Sequence, residues 1–80
     1  MVMLIVVARS NTTIGPNLER RFIVDESPRM GETAIIGEGL KGEVFNVERG
    51  LANNTVTAFV AVSEPIFKEL RADSEWGAAA

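Results

Sequence analysis

The sequence predicts a mainly β domain: five short antiparallel strands curled into a small barrel, followed by one short helix. Three observations predict it. β-Branched residues are abundant, with nine Val, six Ile and five Thr, and their stiff side chains suit a pleated surface. Gly, Pro and Asn recur at the spacing of short strands. Only one segment, near the C-terminus, carries an apolar stripe at helical spacing.

Each element follows from local pattern. Val2 to Arg9 is continuously apolar up to its last residue and reads as the first strand, covered on both faces. Residues 10–17 form a polar loop marked by Gly15-Pro16, with Ile14 as its one apolar side chain. Glu19 to Asp25 is the second strand, with Arg20, Phe22 and Val24 on one face and Arg21, Ile23 and Asp25 on the other. A second loop, constrained by Pro28, leads to a third strand over Thr33 to Gly37. After a turn at Glu38-Gly39, the fourth strand runs from Lys41 to Glu48. Strict alternation there puts Phe45 and Val47 on one face and Val44 on the other. A hairpin loop precedes the fifth strand, Thr55 to Ser63, which is apolar on both faces like the first. The helix spans Glu64 to Asp73, with Ser63 as N-cap, Pro65 in the first turn, a Glu64–Lys68 pair and the stripe Ile66, Phe67, Leu70. Residues 1–73 make one domain, and 74–80 are expected to be a flexible tail containing the sole Trp, Trp76. With no helix between the third and fourth strands, an SH3-like barrel is expected, with an OB-like barrel as the alternative.

Composition removes whole classes of chemistry. The 80 residues contain no Cys and no His. A disulfide framework, a zinc finger, a thiol nucleophile and a histidine base are therefore excluded. No nucleophile–base arrangement, metal motif or cofactor motif stands out, so the chain reads as non-enzymatic with no cofactor and no metal. Gly37-x-Gly39-x-x-Gly42 matches a dinucleotide fingerprint by letters, but strands flank it on both sides where a helix should follow. Asp25 and Glu26 read as solvated loop carboxylates.

The net charge of −3 opposes the basic balance that phosphate neutralisation needs, which argues against nucleic acid. No charge precedes the first apolar run, and that run is too short to cross a bilayer. The expected location is therefore the cytoplasm (host cytoplasm or virion if phage-encoded), with no membrane partner.

The stretch Pro28-Arg-Met-Gly-Glu32 through Lys41-Gly-Glu-Val44 resembles the hairpin of small SH3-like barrels and, loosely, a KOW element. That resemblance implies contact with RNA, or with a transcription or ribosomal partner, through basic and aromatic residues. Here the stretch carries Glu32, Glu38 and Glu43 against Arg29 and Lys41.

The leading expectation rests on surplus. A chain of this length hides only about 60% of its unfolded surface, yet 46% of its residues are hydrophobic. Apolar strands at both ends of the sequence exceed what one small core can cover. The chain is therefore expected to act through protein–protein contacts and to self-associate, as an accessory, structural or inhibitor protein of a bacterium or phage. The alternative is an oligomeric module whose Arg side chains bind a small anionic ligand such as a nucleotide; a KOW-like nucleic-acid adaptor comes third. The candidate ligand or partner contacts are Arg20, Arg21, Arg29 and Trp76.

Overall fold

The computed structural model describes residues 2–12, 16–26, 28–37, 40–50 and 54–78. It is mainly β, with strands β1 (Val2–Ser10), β2 (Leu18–Val24), β3 (Thr33–Gly37), β4 (Leu40–Arg49), β5 (Thr55–Val62) and β6 (Gly77–Ala78), and one helix, α1 (Glu64–Ala72). The five long strands alternate in direction along the chain. An odd number of alternating strands returns the last in the direction of the first, so β5 lies parallel to β1, Leu4 opposite Val56 and Val6 opposite Ala58. The sheet order is β3-β4-β5-β1-β2-β6.

Two parts of the sequence expectation are corrected. The sheet is mixed, because β1 and β5 pair in parallel while the other pairs are antiparallel. It is also open. β2 and β3 follow one another in the chain, but β3 ends the sheet order on one side while β2 lies on the other, followed only by the two-residue β6, and no ladder joins β2 to β3 among the described residues. An antiparallel barrel, whether SH3-like or OB-like, needs that last seam to close. The sheet nevertheless curls, since Phe22 and Val24 of β2 and Ala34 of β3 border one cavity.

Period-2 alternation gives the sheet two unlike faces. Leu4, Val6 and Ala8 of β1 turn inward with Val56, Ala58, Val60 and Val62 of β5, Val44 of β4 and Leu18 of β2. Helix α1 lays Phe67 and Leu70 on this face, with Ile66 at its margin. The helix begins after Ser63, whose extended backbone (φ −69°, ψ 159°) and carbonyl, accepting the Phe67 N–H, make it the N-cap. Its hydroxyl makes no capping bond.

β4 departs from strict alternation. A bulge between Val44 and Asn46 inserts one residue opposite Phe59, which shifts the phase of the strand. Val44 and Val47 therefore both face the core, and Phe45 is left on the other side; the sequence reading had paired Phe45 with Val47. The segment before β3 holds the bulge in place: Gly31 N–H donates to the Val44 carbonyl, and Val44 N–H donates to the Glu32 carbonyl. Gly31 takes φ +86° to make this connection, a conformation open to glycine. Gly42 has a different role. A methyl group there would collide with the Val60 and Val62 side chains, so β4 can approach the core this closely only without a Cβ.

Candidate functional site

The four residues singled out from sequence do not form one site. Arg20 and Trp76 belong to one cluster. Trp76 is buried and meets the Phe22 ring edge-on, with centroids 6.3 Å apart. The Arg20 guanidinium lies 4.9 Å from the Phe22 centroid on a cation–π contact and pairs with Glu75 at 2.9 Å. The next two residues, Gly77 and Ala78, pair with Glu19 and Leu18 as strand β6. Trp76 therefore plugs the end of the core where α1 leaves it. Its indole N–H is buried without a hydrogen-bond partner among the described residues.

Arg21 is on the opposite face of β2, with its side chain exposed and only a loose 3.7 Å approach to Glu19. Arg29 lies in the segment before β3, on the rim of the cavity; its backbone N–H donates to the Glu32 carboxylate. Three cations that point to an outer face, an end plug and a rim cannot grip one anion. Among the described residues no group of three or more acidic side chains could hold a metal ion. Among the described residues no helix is long and apolar enough to cross a membrane.

Two surfaces remain. The first is the inner cavity of about 400 Å³, floored by Leu4, Val6, Ala58 and Val60 and walled by Phe22, Val24 and Ala34, with Glu26, Arg29 and Glu32 at its rim. It occupies the part of the inner face that α1 leaves free. The second is the outer face of the sheet. Met3, Ile5 and Val7 of β1 share it with Phe59 and Ala61 of β5, Phe45 of β4 and Ile23 of β2. No helix or loop among the described residues lies over it, and Ile23, Phe45 and Met3 are 63%, 40% and 37% exposed. The Phe45 and Phe59 rings meet at a tilt of 48° with centroids 6.3 Å apart, and Arg9 sits 5.4 Å over the Phe45 ring.

The register arranges the outer face in cross-strand rows. One row reads Glu48, Thr57, Ile5, Arg21 across β4, β5, β1 and β2. The next reads Asn46, Phe59, Val7, Glu19, with Phe45 in the bulge beside it. The apolar stripe thus runs along β5 and β1; Glu48 on β4 and Arg21 on β2 flank it with opposite charges in the first row, while Asn46 and Glu19 flank it in the second. Sequence reasoning missed Phe45 and Ile23 as surface contacts. The signal for Ile23 was present in its position opposite Phe22 and Val24; that for Phe45 was hidden by the bulge.

The chain matches no family model, no curated protein and no solved structure.

Proposed function

We propose that this chain is a non-enzymatic interaction module that pairs with a second copy of itself through the outer face of its sheet. The observation that supports this reading is the outer apolar stripe of Met3, Ile5, Val7, Phe59 and Ala61, extended by Phe45 and Ile23: Met3, Phe45 and Ile23 are exposed and Ile5, Phe59 and Ala61 are half-buried around a buried Val7. Contiguous exposed apolar surface on a small soluble chain marks an interface.

The charge pattern suits a particular arrangement. Sheets that pack face to face keep their strands nearly aligned, and a two-fold interface uses the same patch on both copies. A two-fold axis running along the strands, between β5 and β1, exchanges β4 with β2 and leaves each row at its own level. Glu48 of one copy then faces Arg21 of the other, twice over, while Phe59 meets Val7 at the centre. The outer face is convex, so the stripe of β5 and β1 forms the contact. The long Glu48 and Arg21 side chains, one strand further out, reach across the diverging margin.

A charge-swap cycle tests this arrangement. Glu48→Arg places like charges together and is expected to weaken dimerisation about tenfold, since two symmetric contacts change at once. The double change Glu48→Arg with Arg21→Glu restores the pairing. If sedimentation velocity shows that either single variant dimerises as well as the double one, this arrangement is wrong.

A further inference from the structure

We infer that the open seam between β2 and β3 is a second binding site, which takes an extended peptide as an added strand along β2. The site is separate from the outer face, because it uses the edge of β2 and the inner cavity behind it.

Three observations converge on this seam. First, the seam-side edge of β2 is used only at its start, where β6 pairs with Leu18 and Glu19. Past Arg20, which pairs with Glu75 beside β6, no described strand pairs with the same edge from Arg21 to Val24. The chain's own Gly77–Ala78 thus shows that this edge accepts an antiparallel strand, and the rest of the edge continues the same line. Unpaired strand edges are the usual template for strand addition. Second, the cavity lies directly behind this edge. Its 400 Å³ is within the range of ligand sites, and its floor and walls are apolar: Leu4, Val6, Phe22, Val24, Ala58 and Val60. A strand laid along β2 turns every second side chain into that space. Apolar residues at alternate positions would fill it. Third, the rim carries two carboxylates, Glu26 and Glu32, against one guanidinium, Arg29. Surplus negative charge at the mouth selects a segment with basic flanking residues. The expected partner is therefore a protein with an extended, exposed segment of alternating apolar side chains bordered by Lys or Arg. It runs antiparallel to β2, in line with β6.

A synthetic peptide of about seven residues, alternating valine and threonine with lysine at each end, is a suitable probe. Amide hydrogen exchange on the full chain reads where it binds. The expected result is that exchange slows about tenfold or more at every second amide of Arg21–Val24, those that point away from β1 and gain a partner, while the amides facing β1 change little. The same peptide methylated at alternate backbone nitrogens is expected to lose the effect, since it cannot pair. Glu26→Lys, a change at an exposed side chain, is expected to weaken the lysine-flanked peptide about fivefold and to favour a glutamate-flanked one. Unchanged exchange along β2 with the peptide bound would overturn the inference, as would equal protection by the methylated peptide. Binding of a small apolar dye in the cavity, with no peptide effect on β2, would also overturn it.

Discussion

The two faces of the sheet have similar raw material and opposite fates. β1 and β5 present apolar side chains on both sides. On the inner side, Leu4, Val6, Ala8, Val56, Ala58, Val60 and Val62 are covered by the curl of the sheet, by Phe67 and Leu70 of α1, and by Trp76. On the outer side, Met3 is exposed and Ile5, Phe59 and Ala61 are half-buried, shielded by their sheet neighbours and not by α1. The difference is topological. The described residues include one helix, and the connection from β5 places it on the inner face. A single helix cannot serve both sides, so the composition surplus is concentrated on one surface. Val7 is the informative exception: it lies on the outer face yet is only 7% exposed, shielded between Phe59 and Glu19, its cross-strand neighbours. It marks the centre of the stripe, where a partner would find the closest packed ground.

The largest break in this comparison comes from the covered side. Leu70→Ala removes a side chain only 1% exposed and is expected to cost about 3–5 kcal/mol, enough to unfold much of a domain this small. Urea denaturation followed by Trp76 fluorescence measures it. Gly42→Ala acts on the same side by overpacking. With Val60 and Val62 against the new methyl, it is expected to cost about 1–3 kcal/mol and to shift the urea midpoint without changing the slope.

The uncovered side should respond differently. Ile23→Lys replaces a side chain that is 63% exposed, and the stability of the single chain should change by less than about 0.5 kcal/mol. Solubility should rise and association should weaken. A large loss of stability in the isolated chain would show that this face is already covered. Trp76→Phe, back on the covered side, is also expected to have a small net effect. It deletes a buried N–H that has no partner among the described residues, so the lost ring area and the relieved polar group offset one another to within about 1 kcal/mol. Thermal melting, read by circular dichroism because the only Trp is gone, checks it.

Much of the local structure was legible from residue order. The strand at 33–37, the helix start at Ser63-Glu64 and the Glu64–Lys68 pair, 3.9 Å apart, follow from β-branched runs, a Pro in the first turn and i,i+4 spacing. Two features were not legible. The parallel pairing of β1 with β5 joins residues more than fifty positions apart, and no local pattern encodes it. The bulge at Phe45 overrides period-2 alternation because the main chain of Gly31 and Glu32 binds Val44 from outside the strand. Of the candidate contacts, Trp76 and Arg20 came together around Phe22 because the residues after α1 fold back onto β2. Arg21 and Arg29 were separated by strand alternation and by the 25–32 connection, which a charge count alone does not resolve.

The central claim is that the outer face exists to be covered by a second copy. Sedimentation equilibrium of the chain beside Phe45→Glu tests it most directly, because Phe45 is 40% exposed and lies outside the inner core. The parent chain is expected to be a dimer at micromolar concentration and the variant a folded monomer, its circular dichroism unchanged. A parent chain that stays monomeric as concentration rises, or a variant that associates equally well, would contradict it.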